Sequence, residues 1–287
     1  MENNTVLKNE FLTVEITSLG AELKSIIDND GEERLWQGDI ASWEGQAPLL
    51  WPICGCLTDG KYTFKGQTYK MGGHGFGRDR EFTVEFFDDD KVIYLLKSDD
   101  ETKKIFPFDY ELRVTYTLID NKINVTYAVN NKTDGYMYFS IGSHEGYVCK
   151  GNTSDYCVAF ETQEALEHSL LNGPFLTGDT EPVEMEGALL WLSDDDFAAH
   201  DTLVFRDIKS KSVTLKGKYS AKTITVEYPM FDNLLLWKLP GAEFLCVEPW
   251  CGLPDYYGKV SELSEKPGII KLEKNGAFER VHTIVIN

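Results

Sequence analysis

Apolar side chains recur at every second position along much of this chain. From Tyr110 they continue at Leu112, Val114, Tyr116 and Leu118, and after Asp120-Asn121-Lys122 they resume at Ile123, Val125, Tyr127 and Val129. A period of two places these side chains on one face of an extended chain, so the spacing predicts a long hairpin with one dry and one wet face. Tyr62-Thr63-Phe64, Lys65-Gly66 and Gln67-Thr68-Tyr69 predict a tighter hairpin. Further strands are expected over residues 12–16, 92–96, 213–215, 224–228 and 281–286. Helical signals are few. Short helices are expected over 161–170 and over 193–200, the latter with Ser193 as N-cap and acids in its first turn. One more turn is expected over 260–265. No glycine- or proline-rich linker divides the chain and no repeat recurs at a fixed period, so the pattern predicts one antiparallel all-β domain over residues 1–287.

Composition supports a folded, strand-rich body: 42% of the 287 residues are hydrophobic, and 16 Phe, 14 Tyr and 6 Trp suit half-buried strands. The net charge of −19 comes from 47 acidic against 28 basic side chains. Such a surface repels phosphate backbones and anionic headgroups, so neither nucleic acid nor a membrane surface is an expected partner. The start, Met-Glu-Asn-Asn-Thr, has no basic segment followed by an apolar run, and no apolar stretch is long enough to span a bilayer. Cys54, Cys56, Cys149, Cys157, Cys246 and Cys251 form no Cys-x-x-Cys pair and sit among apolar neighbours, which is expected of reduced, buried thiols. A cytoplasmic location follows as the expectation.

Three segments interrupt the alternation, each holding a titratable group among glycine, proline or aromatic residues. Gly72-Gly73-His74-Gly75-Phe76-Gly77-Arg78-Asp79 surrounds one imidazole with glycines, which permit sharp turns and close approach of a ligand. Ser140-Ile141-Gly142-Ser143-His144-Glu145 follows a strand-like stretch and places His144 at a strand end, where either a structural role or proton transfer suits it. In Phe244-Leu245-Cys246-Val247-Glu248-Pro249-Trp250, Glu248 ends an apolar run. A carboxylate buried there is costly unless partners or function compensate, which makes it a candidate general base. Trp51, Phe76, Tyr147, Trp237 and Trp250 lie close to these segments; most are expected in the core, with one or two lining a cleft. His74 and His144 stand seventy residues apart with no His-Glu-x-x-His spacing, so no metal site is expected. Neither a nucleophile elbow nor a dinucleotide-binding glycine pattern occurs.

Together these stretches resemble the aldose 1-epimerase (galactose mutarotase-like) family, and within it the LacX-like branch. Pro48-Leu49-Leu50-Trp51-Pro52-Ile53-Cys54-Gly55, Asp59-Gly60-Lys61-Tyr62, His74-Gly75-Phe76-Gly77-Arg78-Asp79, Ile141-Gly142-Ser143-His144 and Cys246-Val247-Glu248-Pro249-Trp250 follow in the family's order. Thr13 to Leu23 at the start, and Gly252 with Pro254-Asp255 near the end, fit it too. The resemblance implies a β-supersandwich with few short helices and interconversion of the α and β anomers of a hexose, with no cofactor. It implies Glu248 as the base at the C1 hydroxyl, His144 as the acid at the ring oxygen and His74 as a hydrogen-bonding partner near that oxygen. Arg78, Asp201, Trp250 and Trp237 become the expected sugar contacts. The expected partner is a small sugar, bound by a monomer or a homodimer.

Two positions depart from the family pattern. Cys56 stands where relatives often carry an arginine that binds sugar hydroxyls, and Glu145 stands where a proline often follows the second histidine. The first removes a cationic donor, and the second is expected to set a negative charge beside the acid. These departures leave open a sugar-binding protein without catalysis. A hexose-6-phosphate epimerase is the other alternative, although the sequence shows no cluster of Arg or Lys to hold a phosphate.

Overall fold

The computed structural model describes residues 4–287; residues 1–3, part of the N-terminal stretch read above, lie outside the described residues. The expected long hairpin forms Tyr110–Ile119 and Lys122–Asn131, paired without a break from Tyr110↔Asn131 to Ile119↔Lys122. Its burial alternates residue by residue, with Leu112, Val114, Val125 and Val129 at 0–1% exposure. The tighter hairpin joins Lys61–Phe64 to Gln67–Lys70 through Lys65 (φ 51°) and Gly66 (φ 79°). Two successive left-handed residues match the twist of the flanking strands.

These pieces assemble into two main antiparallel sheets. The nine-stranded sheet runs in the order Leu189–Trp191, Tyr156–Phe160, Ser212–Gly217, Thr223–Glu227, Ala277–Ile286, Lys122–Asn131, Tyr110–Ile119, Lys91–Lys97, Thr83–Phe87. The seven-stranded sheet runs Ile141–Gly142, Phe244–Cys251, Asn233–Trp237, Thr202–Arg206, Glu167–Asn172, Phe175–Pro182, with Glu145–Val148 also on Phe244–Cys251. Smaller sheets flank them. The fold is an all-β antiparallel sandwich with two short α-helices.

The seven-stranded sheet is covered on both faces, and that positions the site. Leu203, Phe205, Leu234, Leu236, Leu245 and Val247 join the main core together with Val125, Tyr127, Val226 and Ile284 of the larger sheet. Their neighbours along the same strands, Val204, Leu235 and Trp250, form a second apolar cluster on the opposite face with Leu50, Cys54, Leu176 and Leu253. Every residue of Phe244–Cys251 is therefore buried, and strict alternation decides which side each one faces.

Helix expectations divide. Asp194–His200 forms with Ser193 as N-cap, its hydroxyl accepting from the Asp195 N–H at 3.1 Å, and a single turn forms at Leu263–Glu265. No helix covers residues 161–170. Instead Glu161 and Glu164 reach across to the chain, accepting backbone N–H groups of Lys211 and of Lys209 and Ser210, and Glu167–Asn172 pairs as a strand. Tertiary hydrogen bonds outweigh the local helix preference there. A helix not foreseen, Asp100–Ile105, is opened by a reciprocal capping box between Asp99 and Thr102. No helix among the described residues is long and apolar enough to cross a membrane.

Alternation makes a direct prediction. Leu112→Ala should cost about 2–5 kcal/mol in urea unfolding, through lost burial and a residual cavity. Thr115→Ala, on the other face of the same strand, should cost less than about 1 kcal/mol. Equal costs would contradict the two-faced hairpin.

Candidate active site

All seven residues singled out above line one cleft of about 330 Å³: Glu248, His144, His74, Arg78, Asp201, Trp250 and Trp237. Glu248 and Trp250 share the cleft face of Phe244–Cys251 because they are two residues apart, and the register sets Leu235 opposite Glu248. His144 follows Ile141–Gly142 and precedes Glu145–Val148, both paired to that same strand. Its Nε2 lies 3.5 Å from Glu248 Oε2. The Trp250 indole N–H donates both to that carboxylate oxygen and to the Ser143 carbonyl, each at 3.1 Å.

His74 comes from the glycine loop, in which Gly73, Gly75 and Gly77 pack too closely against other parts of the chain to admit a Cβ. A Cβ at Gly75 would stand 2.1 Å from the Trp51 carbonyl oxygen, which accepts the Phe76 and Gly77 N–H groups, and a Cβ at Gly73 would stand 2.8 Å from Cys56 Sγ. At Gly73 and Gly75 the close approach is made by the protein's own chain. The Gly55 N–H donates to His74 Nδ1 at 3.2 Å. A backbone N–H can only donate, so neutral His74 carries its proton on Nε2 and is a hydrogen-bond donor from that side. Arg78 donates to the Gly73 carbonyl at 2.6 Å, bracing the loop. Asp201 caps the C-terminal end of the helix Asp194–His200 at φ 59° and lines the cleft.

Burial governs the electrostatics. It raises the Glu248 carboxyl well above its ordinary value, and the Glu145 charge adds to this while the Trp250 hydrogen bond partly offsets it. It lowers His144 to about 4, against opposing contributions from a backbone hydrogen bond and Glu145. It lowers His74 well below the usual histidine range, with His144 and Arg78 adding to the effect. The pair therefore favours a protonated carboxyl beside a neutral imidazole, rather than the ion pair that simple proximity suggests. Both arrangements hold one proton.

Glu145 does not sit beside the acid in the cleft. Adjacent strand residues face opposite ways, and Glu145 lies opposite Val247 on the core side. There its carboxylate meets His282 Nε2 of the other sheet at 3.0 Å, with both side chains at most 4% exposed. Burial pushes this carboxyl up, but the His282 charge and hydrogen bond, joined by hydrogen bonds from Ser143 and the backbone, together hold it below its ordinary value. Trp51 and Tyr147 are fully buried and Phe76 nearly so, in the core rather than the cleft. Trp43 was not foreseen, because its loop shows no alternation. Its ring lies 5.1 Å from His144 and 5.3 Å from Trp237, forming an aromatic wall. Cys56 lines the cleft and is half-buried.

The profile of the family described as aldose 1-epimerase matches residues 4–256. The chain belongs to this family. The LacX protein of Lactococcus lactis subsp. lactis is 35% identical over 98% of both chains. A galactose mutarotase-like protein from Lactobacillus casei superposes with a TM-score of 0.95 at 29% identity, covering 99% of this chain and 100% of that one. A galactose mutarotase related enzyme from Lactobacillus acidophilus superposes at 0.93 with 28% identity, covering 99% and 97%. Two trios of possible metal donors gather within 4.8 Å among the described residues: His144, Cys246 and Glu248 in the cleft, and His168, Glu181 and His200 outside it. The first is a poor cation site, since burial raises both the Cys246 thiol and the Glu248 carboxyl well above their ordinary values.

The opposed shifts of His144 and Glu248 have opposite linkage. Lowering the His144 value from 6.5 to about 4 means the unfolded chain binds more protons between those values, so this group makes stability rise with pH there. Raising Glu248 means the folded chain binds more protons above 4.5, so this group makes stability fall with pH. Urea unfolding at pH 5 and pH 7 should therefore show Glu248→Gln gaining more stability with pH than the parent, and His144→Asn gaining less. The reverse ordering would refute the assigned shifts.

Proposed function

We propose that this protein is a mutarotase, interconverting the α and β anomers of an unphosphorylated hexose by general acid–base ring opening and reclosure. The observation that carries the reading is the 3.5 Å contact between Glu248 Oε2 and His144 Nε2 at the floor of a cleft walled by Trp43, Trp237 and Trp250. Glu248 takes the proton from the C1 hydroxyl while His144 delivers one to the ring oxygen. The C1–O5 bond breaks, the aldehyde end rotates, and reclosure on the other face runs the same transfers backwards. The pair begins and ends with one proton. Moving it from the carboxyl to the imidazole converts the neutral pair into the acting one. The same burial that disfavours both charges strengthens Glu248 as a base and protonated His144 as an acid. His74, neutral and donating from Nε2, supports the ring oxygen as it gains its proton. Asp201 and Arg78 are proposed to hold hydroxyls, and the tryptophans to stack on C–H faces.

An unphosphorylated substrate is supported by the charge of the lining. Among the described residues around the cleft, Arg78 is the one permanent cation, and it is already engaged by Gly73, while Glu248 and Asp201 are acidic. Such a site lacks the clustered donors that a phosphate needs.

Polarimetry of fresh α-glucose and α-galactose tests the proposal. Glu248→Gln and His144→Asn should each lower kcat about 10²–10⁴-fold while thermal melting shows a folded protein. Glucose should be turned over with a higher kcat/KM than glucose 6-phosphate. Saturable sugar binding with no faster mutarotation in the parent would instead support the non-catalytic sugar-binding alternative.

A further inference from the structure

A second cavity of about 440 Å³ lies apart from the anomer cleft, and it shares no lining residue with it. His168 and Glu181 face each other across the antiparallel pair formed by Glu167–Asn172 and Phe175–Pro182, and His200 ends the helix Asp194–His200. Glu181 Oε1 lies 3.1 Å from His168 Nε2 and 3.0 Å from His200 Nε2. The two imidazole rings are 4.7 Å apart and nearly perpendicular. All three donor atoms fall within 4.8 Å of one another, and the His168 side chain is only 3% exposed.

We propose that His168, Glu181 and His200 bind one divalent transition-metal cation, with zinc as the reference ion. Ligands at about 2.0–2.2 Å from a tetrahedral zinc stand roughly 3.3 Å apart, close to the two Nε2–Oε1 separations. Two imidazoles and one carboxylate are the donor set of zinc and its neighbours, whereas magnesium and calcium require oxygen ligands throughout. Three protein ligands leave a fourth position open, and the cavity provides room there for water or a small anionic ligand. Glu184, Glu186 and Asp196 line the same cavity and attract cations to it. The chain separations, thirteen and nineteen residues, belong to no recognised ligand spacing, so only the strand register and the helix end bring the trio together. Bound metal ties the helix end to the strand pair one residue before Asp201, which lines the anomer cleft.

The test uses full-length protein stripped by a chelator and titrated with Zn²⁺ alone in a calorimeter. One equivalent should bind, and Co²⁺ should give the visible absorption of a tetrahedral site. His200→Ala and Glu181→Gln should each weaken zinc binding more than about tenfold, since even outer partners of metal ligands are worth 10–100-fold in affinity. Metal-free melting of both variants confirms their fold, and the near-isosteric Glu181→Gln keeps the test decisive if His200→Ala melts early. His144→Asn, which disrupts the other donor trio, should leave affinity and stoichiometry unchanged. Absence of saturable zinc uptake, or an affinity indifferent to both variants, would overturn the site and leave Glu181 as a shared acceptor for two histidine N–H groups.

Discussion

The structure turns on a carboxyl group almost wholly withdrawn from bulk water at the floor of the cleft. Glu248 is 1% exposed within a strand whose every residue is buried, and an unpaired charge there would be severely unfavourable. The fold meets this cost by surrounding one oxygen with partners from separate parts of the chain. The Trp250 indole comes from the same strand, two residues on, and the His144 imidazole from the short segment paired to its edge. The seven-stranded sheet must be covered on both faces for this to work. One face closes against the nine-stranded sheet, and the other closes over an apolar floor that includes Leu235, Val204 and Trp250.

That double coverage also separates two carboxylates that are neighbours in space but opposite in role. Glu145 and Glu248 lie on strands paired to one another, yet alternation sends the first into the core to His282 and the second into the cleft to His144. Each is matched with an imidazole. Their like charges still interact through the sheet, adding to the upward shift of Glu248, so the core pair tunes the base without touching a ligand. The charge at position 145 is thus absorbed by the core rather than imposed on the cleft.

Legibility followed the range of the forces involved. Where one face of a strand is dry and the other wet, as in Tyr110–Ile119 and Lys122–Asn131, burial writes itself into the residue order with a period of two. The helix Asp194–His200 was equally readable, because an N-cap hydroxyl and acidic first-turn residues act within one turn. Residues 161–170 were misread as helix because Glu161 and Glu164 are recruited by backbone groups nearly fifty residues away. Trp43 was missed for a related reason: its irregular loop carries no period, and only contacts with His144 and Trp237 give its position meaning.

Residue order alone therefore determined the all-β character, the principal hairpins and the three glycine- and aromatic-rich segments. These rest on periodicity, turn chemistry and local residue type, all of which act over a few positions. Tertiary structure decided which faces those residues occupy and what protonation burial favours. It also turned Glu145 away from the cleft and gathered His168, Glu181 and His200 around one point. Such outcomes depend on strand register and on how completely each group leaves water, and both are set by chains that meet only after the sheets have closed.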